Sequence, residues 1–352
     1  MSHCRQFVPL TEARAPFFVG IDLGGTNIKL GVVDDLGRPL SWLTVPTEIE
    51  TGAEDGSRRM GEAVLRTIGE AGLKPSDIAR VGLGSPGTMD IPAGMLIKPV
   101  NLRGWDDFPL RDRVSHHCGL PVSFENDANA AAYGEFWVGA GRDYRSLVLF
   151  TLGTGIGSGI IIDDMIIDGE NSHGGECGHI IIDCGDDARL CGCGQHGHLE
   201  AYASATAIVK RTEELLAAGR KSSLTARLET CAELSPLMMA QEAEKGDVLC
   251  LEIIMDTAHY MGVGIVNLLH TVDPNAVLLG GAMTFGGNHT DLGRRFLARI
   301  QEEVNRRAFP VLAKRTVITF ASLGGDAGFI GAAGIARLEH LKKGKWGSGF
   351  RI

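Results

Sequence analysis

A strand, a glycine turn and a second strand follow one another twice in this chain. The first copy spans residues 17–33 around the turn 24–27, and the second spans residues 146–163 around the turn 153–159. Apolar runs of strand length on either side of a glycine turn predict a β-hairpin. Because helical spacing follows the hairpin in both halves, the repeat predicts two related α/β domains.

The chain has 352 residues, which exceeds the size at which a single core keeps growing. We therefore predict an N-terminal α/β domain over 17–125, after a flexible tail over 1–16. A second α/β domain over 126–325 carries a glycine-rich loop at 174–200. A final helix, 326–345, is expected to return to the first domain and complete it.

Charge and apolar patterning exclude several classes of protein. The formal net charge of −9 argues against general affinity for nucleic acid or for an anionic membrane. The first seventeen residues lack the apolar segment of a signal peptide, and no uncharged apolar run reaches the length of a membrane span. We expect no nucleic-acid partner, no membrane association and a cytoplasmic location.

The loop at 174–200 contains a candidate metal site. His179, Cys191, Cys193 and His198 offer four nitrogen and sulfur ligands, the set that closed structural zinc sites use. The alternative is a group of polar residues without a metal. A CxC pair with nearby histidines favours zinc and a reducing compartment. With no ligand position left for water, the zinc would shape a loop that presents two carboxylates, Glu176 and Glu200.

The two glycine turns are candidate phosphate sites. Glycine lets backbone N–H groups approach an anion, and a threonine hydroxyl in each turn adds a donor. Plain hairpins remain the alternative for each turn alone. Neither turn matches a Walker A loop or a Rossmann fingerprint. The residues concerned are Gly24, Gly25, Thr26, Gly153, Thr154 and Gly155, with a further glycine pair at Gly280 and Gly281.

Two aspartates stand beside these elements. Asp22 enters the first turn, where a carboxylate could hold hydrated Mg²⁺ or simply stabilise the turn. Asp127 lies where a strand meets an alanine-rich helix, so it could take a proton from a substrate hydroxyl or cap the helix. Asn126 beside Asp127 favours the first role, because an amide and a carboxylate together can hold adjacent hydroxyls of a sugar.

Taken together, these segments resemble the ROK family of bacterial sugar kinases and sugar-responsive repressors, a branch of the actin-like ATPase superfamily. The resemblance covers about residues 17–341. It rests on ordered motifs, which are Asp22-Leu-Gly-Gly-Thr-Asn-Ile-Lys29, Gly84-Ser-Pro-Gly87, Asn101 with Trp105, Glu125-Asn-Asp-Ala-Asn129, Leu152-Gly-Thr-Gly-Ile-Gly157, Gly175-Glu-Cys-Gly-His179 and Cys191-Gly-Cys-Gly-Gln-His-Gly-His-Leu-Glu200.

The resemblance implies two actin-like domains with a cleft between them and phosphorylation of the 6-hydroxyl of a hexose by MgATP. Asp127 would be the general base. The other sugar contacts would come from Gly87, Asn101, Asn126, Glu176, His179 and Glu200. The glycine turns and Lys29 would face the phosphates, and Gly280 and Gly281 the adenosine end.

Two positions depart from the family pattern. His198 stands where the family usually has cysteine, which raises the net charge of the site with Zn²⁺ from about −1 to about 0. His196 is a second candidate for this fourth ligand position. Arg103 is inserted before Gly104 and Trp105, at the expected rim of the sugar pocket.

The resemblance leaves a choice between enzyme and sugar sensor. Repressors of the family carry a DNA-binding domain, which needs at least about sixty residues, whereas 21 residues precede Asp22. We therefore expect a kinase. The run Tyr202-Ala-Ser-Ala-Thr206 favours glucose as substrate; N-acetylmannosamine, N-acetylglucosamine and fructose are the alternatives, and polyphosphate is an alternative donor. Family members are commonly homodimers, which we expect here.

Overall fold

A computed structural model describes residues 6–230 and 233–345. The strands are β1 (Phe17–Leu23), β2 (Asn27–Val33), β3 (Pro39–Pro46), β4 (Ile78–Ser85), β5 (Thr88–Asp90), β6 (Met95–Lys98), β7 (Val122–Asn126), β8 (Ser146–Leu152), β9 (Ile156–Ile162), β10 (Met165–Ile166), β11 (Ala276–Gly281) and β12 (Val317–Phe320). The helices are α1 (Ala53–Glu70), α2 (Leu110–Cys118), α3 (Asp127–Trp137), α4 (Glu200–Ala203), α5 (Ala205–Ala217), α6 (Leu224–Leu228), α7 (Pro236–Glu244), α8 (Val248–Val272), α9 (Asp291–Arg307), α10 (Pro310–Arg315) and α11 (Ala327–Lys345).

The two five-stranded sheets have the same strand order. The first is β3-β2-β1-β4-β7 and the second is β10-β9-β8-β11-β12. In the first sheet β1 pairs antiparallel with β2 and parallel with β4, which in turn pairs parallel with β7. In the second, β11 pairs parallel with both β8 and β12. The repeat predicted from the two glycine turns is therefore present in the topology.

The described residues form two compact units. One contains residues 6–143, 159–175 and 323–345, and the other contains 144–158 and the described part of 176–322. The sequence-based domain boundaries remain predictions, and α3, which they assign to the second domain, packs in the first unit against α11. The first unit has a large apolar core that includes Leu83, Met60 and Trp105, all nearly inaccessible to solvent.

The predicted flexible tail differs from what the structure shows for residues 6–16. Arg14 bonds to the turn after β2 in both directions: its N–H donates to Asp34 (3.1 Å) and its carbonyl accepts from the Asp35 N–H (2.8 Å). Arg38 Nη2 donates to the carbonyl of Glu12 at 2.8 Å. This segment is therefore tied to the β2–β3 turn, a contact that no sequence pattern revealed. Residues 1–5 lie outside the described part of the chain.

Helix α8 is long and apolar enough, by length and composition, to cross a membrane. More than half of its most apolar stretch is buried inside the protein. A core helix of a globular protein satisfies the same criteria, so this single helix is weak evidence for a membrane span among the described residues.

Helix α11 lies directly on the backbone of the first sheet. A Cβ atom added at Gly20 would stand 1.7 Å from the carbonyl oxygen of Phe329, and one added at Gly82 would stand 1.8 Å from that of Ala332. Helix and strands meet at these points without intervening side chains. The glycines of β1 and β4 thus set how closely α11 approaches the sheet.

We expect Gly82→Ala to lower the free energy of unfolding by about 3 kcal/mol or more. This is the upper end of the usual cost of adding a methyl group to a packed core, because neither the strand backbone nor the helix backbone can move away. Gly69→Ala is the matched control, since an added Cβ there meets no described atom within 4 Å. That control should be neutral or stabilising by up to about 1 kcal/mol, as alanine favours helix. Urea denaturation of both variants measures the difference, and equal stabilities would refute the close approach.

Candidate active site and metal cluster

The first glycine turn joins β1 to β2 and is fastened from one side. Gly24 donates its N–H to the carbonyl of Asn27 (3.0 Å), and the Thr47 hydroxyl donates to the carbonyl of Gly24 (2.7 Å). Gly25 and Thr26 are exposed. The turn therefore keeps its shape through its neighbours while its outer backbone groups stay available to an anion.

Asp22 lies at the base of this turn, paired with Lys29 in the register of β1 and β2. Lys29 Nζ is 3.5 Å from Asp22 Oδ2 and donates to the carbonyl of Gly325 at 3.2 Å. A Cβ on Gly328, in the first turn of α11, would touch the Asp22 carboxylate. Burial raises the pKa of Asp22, and the Lys29 charge opposes that shift.

Helix α3 begins at Asp127, and its cap is the residue before it. Asn126 has extended backbone angles, and its side chain accepts from the N–H groups of Ala128 (2.8 Å) and Asn129 (3.2 Å). Asp127 Oδ1 also lies 2.9 Å from the Ala128 N–H. Asn126, and not Asp127, is therefore the cap of α3. Asp127 occupies the first helical position and is partly exposed.

Asn101 lies close to the first glycine turn. Its carbonyl oxygen would be 3.4 Å from a Cβ on Gly25, and Asn101 itself is exposed. Gly87 faces Pro99 of the same segment, whose atoms would lie 2.6 Å from an added Cβ. Trp105 anchors the segment, because it is fully buried and its Nε1 donates to the carbonyl of Ile49 at 3.3 Å.

The second glycine turn is held by Ser204 and the helix that begins after it. Ser204 ends α4 and caps α5, so the chain is not one continuous helix here. This break lets the N–H of Ala205 donate to the carbonyl of Gly153 (2.9 Å) and the Thr206 hydroxyl to that of Thr154 (2.8 Å). The first residues of α5, rather than Ser204 itself, thus satisfy the carbonyls of the turn.

Glu200 links this turn to the cysteine-rich loop. Its Oε2 accepts from the N–H of Ile156 at 2.8 Å, and the Cys191 thiol lies 3.5 Å from its Oε1. A Cβ on Gly155 would stand 2.4 Å from Glu200 Oε2, so a larger residue there would displace this carboxylate. Gly280 and Gly281 pair with Thr151 and Leu152, which places them at the same end of the second sheet as the turn.

The four predicted metal ligands lie together. One ligand atom from each of His179, Cys191, Cys193 and His198 falls within 4.8 Å of all the others. The Nδ1 atoms of His179 and His198 are 3.3 Å apart, and the sulfur–nitrogen separations are 3.2 Å from Cys193 to His198 and 3.8 Å from Cys191 to His179.

These separations and the donor set fit zinc. Ligand bonds of about 2.0 Å to nitrogen and about 2.3 Å to sulfur in a tetrahedron require ligand atoms about 3.3–3.8 Å apart. The Nδ1 atom of His196, the alternative ligand, lies instead 2.8 Å from the carbonyl oxygen of Ala188. Cys184 is exposed and does not belong to the four-residue cluster found among the described residues.

The orientation of His179 leaves its second ring nitrogen outside the cluster. With Nδ1 directed at the other ligands, Nε2 lies 4.0 Å from Glu176 Oε2. Glu176 is 46% exposed at its side chain. A metal on Nδ1 would fix the tautomer and leave Nε2–H as a donor beside the Glu176 carboxylate.

Three polar residues bonded to one another at the start of α3 were not predicted from the sequence to belong to the site. Glu125 is buried, and its Oε1 accepts from the Asn126 N–H (2.8 Å) and from Asn129 Nδ2 (3.0 Å). The same Asn129 nitrogen donates to Asp168 at 3.2 Å. Glu125 and Asn129 belong to the family motif Glu125-Asn-Asp-Ala-Asn129, which could have indicated that they lie near the site. No sequence pattern indicated the same for Asp168.

A fold of two sheets with the same strand order, glycine turns after their first strands and a rigidly placed aspartate defines a class of phosphoryl-transfer proteins. The model of the ROK family matches residues 18–339. The chain belongs to the ROK family. Its predicted fold class, α/β with two actin-like domains, is confirmed by the solved structures that resemble it.

Individual relatives agree with this assignment. A glucokinase of Halalkalibacterium halodurans is 32% identical over 92% of this chain and 96% of that protein. The crystal structure of a ROK hexokinase from Thermus thermophilus is 32% identical, with a TM-score of 0.78 over 93% of this chain and 99% of that one. A ROK glucokinase from Streptomyces griseus, solved with glucose and AMPPNP, is 32% identical, with a TM-score of 0.70 over 92% and 99%.

Proposed function

We propose that this protein is an ATP-dependent kinase that phosphorylates the 6-hydroxyl of glucose. The observation that carries the proposal is Asp127 at the first position of α3 with the capping role taken by Asn126. The Streptomyces griseus relative, which binds glucose and an ATP analogue, supports the choice of both substrates.

In the reaction, Asp127 takes the proton of the 6-hydroxyl while that oxygen attacks the γ-phosphorus of ATP. The bond from the γ-phosphorus to the bridging oxygen breaks, and ADP leaves with its electron pair. The helical backbone and the Asn126 cap hold Asp127 in place, so little ordering is needed when the sugar binds.

The other sugar hydroxyls would be bound by groups of complementary polarity. Glu176 and Glu200 accept hydrogen bonds, and His179 Nε2–H donates beside Glu176. Asn101 and Asn126 add amide groups, and Gly87 shapes the segment that carries Asn101. Glu200 also accepts a hydrogen bond from the Ile156 N–H, directly after the second glycine turn. A sugar bound to Glu200 would therefore influence the position of that turn as well.

ATP would be bound by the two turns. The backbone of Gly24, Gly25 and Thr26 and that of Gly153, Thr154 and Gly155 would face the phosphates, Lys29 would add a positive charge, and Gly280 with Gly281 would face the adenosine. Asp22, which is partly exposed beside the first turn, suits a hydrated Mg²⁺. That ion would neutralise charge on the phosphates.

The cysteine and histidine cluster would hold a structural zinc. Two thiolates and two imidazoles close a tetrahedral site without a position for water. His179, Cys191, Cys193 and His198 come from two segments of the loop, so the metal would cross-link them and fix the direction of Glu176 and Glu200. We propose further that the enzyme is a cytoplasmic homodimer, in line with its resemblance to the family and with six described cysteines that are all free thiols.

Sugar preference tests the proposed activity. In an assay of ADP release from MgATP, we expect kcat/KM for glucose to exceed that for mannose, fructose, N-acetylglucosamine and N-acetylmannosamine by about tenfold or more. A higher value for an acetylated sugar or fructose would reassign the substrate. Glucose binding without ADP release, with no product from polyphosphate either, would indicate a sugar sensor.

A further inference from the structure

A group of buried and partly buried polar side chains lies at the junction of β7 and α3, next to Asp127 in the sequence. Glu125 is 4% exposed at the end of β7, and Asp168 is partly buried in the loop that follows β10. Asn129, in the first turn of α3, stands between them and donates to both carboxyl groups from one nitrogen. Its Oδ1 is buried and accepts no hydrogen bond from the described residues.

This arrangement brings two acidic groups together where water is scarce. Two carboxylates that flank a single amide nitrogen repel each other strongly in a medium of low dielectric. Burial raises the pKa of Glu125, and the charge of Asp168 raises it further. Burial likewise raises the pKa of Asp168. Removing both protons therefore costs free energy, which favours the state in which the pair keeps one proton.

Helix α11 supplies the outlying charges that face the pair. Glu339 adds to the upward shift of the Glu125 pKa, whereas Lys342 lowers that of Asp168. From α3, Asp127 is the neighbouring carboxylate along the chain. No charged group comes from β4 at this level, where Gly84 and Ser85 pair with Glu125 and Asn126.

The pair is bonded to the backbone that carries Asp127. Glu125 Oε1 accepts the N–H of Asn126, the residue that caps α3, and Asn129 belongs to the first turn of that helix. Asp168 opens a loop closed by a bond from the Gly174 N–H to its carbonyl (2.5 Å), two residues before Glu176 in the sequence. The pair thus joins the start of α3 to the start of this loop.

We propose that Glu125 and Asp168, joined through the amide of Asn129, retain one proton between them and thereby position Asp127 for proton abstraction. Both are positioning residues, and the inference rests on the proposed role of Asp127 as base. When the last proton leaves at alkaline pH, repulsion between the two carboxylates pushes the β7–α3 junction and the loop apart, and turnover falls.

The test compares Glu125→Gln with Glu125→Ala across pH 6–10. Glutamine keeps the acceptor for the Asn126 N–H but cannot ionise, so we expect it to lose the alkaline inflection of kcat that the proposal predicts for the parent. Alanine removes the acceptor, and kcat should fall about tenfold to a hundredfold at every pH, as expected for a misplaced base. Rescue of turnover by glutamine relative to alanine is the expected pattern.

Stability serves as the second readout. Since folding raises the pKa of the pair above the ordinary range of carboxyl groups, its contribution to stability is complete at acid pH and is lost as pH rises through the raised values. The melting temperature of Glu125→Gln should therefore decline less with pH than that of the parent. Glu135→Gln is the matched control, because Glu135 is a buried glutamate of α3 that accepts from the backbone N–H groups of Ala140 and Leu323 and takes no part in the pair.

The outcomes separate the two proposals. If the parent releases no ADP with glucose, the proposed function fails. If the parent is active but the kcat profiles of the parent and Glu125→Gln superimpose, the positioning role is refuted. The positioning role would also be refuted if Glu125→Gln changed the pH dependence of the melting temperature but not that of kcat. A pair with a purely structural role would affect stability and leave kcat unchanged.

Discussion

Asp127→Asn is expected to lower kcat for glucose phosphorylation by about 10²–10⁴, the usual contribution of a general base. Asparagine keeps the size and the acceptor oxygen of the side chain but cannot take a proton at neutral pH. Because Asn126 caps α3, the variant should fold with an unchanged melting temperature. KM for glucose should change little, since the other hydroxyls keep their partners.

The measurement is steady-state ADP release, together with calorimetric titration of glucose into the variant. Asp143→Asn is a suitable control, because Asp143 is an exposed carboxylate paired only loosely with Arg142 at 3.7 Å. It should match the parent. Turnover of Asp127→Asn within about tenfold of the parent, with glucose still bound, would remove Asp127 from the role of base.

Loss of the zinc site is expected to have the second large effect. His198→Ala should reduce bound metal from about one zinc per chain to nearly none, because three remaining ligands leave the tetrahedron open. KM for glucose should rise, since the loop that directs Glu176, His179 and Glu200 loses its cross-link. Metal analysis after gel filtration and sugar kinetics measure the two effects.

His196→Ala is the matched control, two residues away in the same loop. The Nδ1 atom of His196 lies beside the carbonyl of Ala188 rather than in the cluster, so this variant should keep its zinc. His198→Cys should keep zinc as well, because a thiolate is an equally good ligand. Retention of zinc in His198→Ala together with its loss in His196→Ala would transfer the ligand role to His196.

Secondary structure near the glycine turns could be predicted closely. Hairpins were expected over 17–33 and 146–163, and the pairs β1–β2 and β8–β9 begin and end within one residue of those bounds. Alternating or helical apolar spacing is a local signal that survives folding. By contrast, β3 and α9 went unpredicted, and the break at Ser204 depends on a carbonyl of Gly153 some fifty residues earlier.

The candidate site divides in the same way. The types and spacing of the chemical groups are properties of the sequence, which is why the four metal ligands and Asp127 could be proposed from motifs alone. Whether His196 or His198 joins the cluster, and whether Asn126 or Asp127 caps α3, depended on directions of side chains. Those directions follow from backbone geometry, which a motif does not specify.

The sequence by itself determined that the chain has two related α/β halves, two glycine turns, a candidate set of metal ligands and an aspartate at a helix start. Only the tertiary structure decided which groups share a buried environment. Asp168 meets Asn129 across 39 residues, and Lys29 reaches Gly325 across 296. The energy of a buried charge depends on neighbours in space, and neighbours separated so far along the chain leave no local pattern to read.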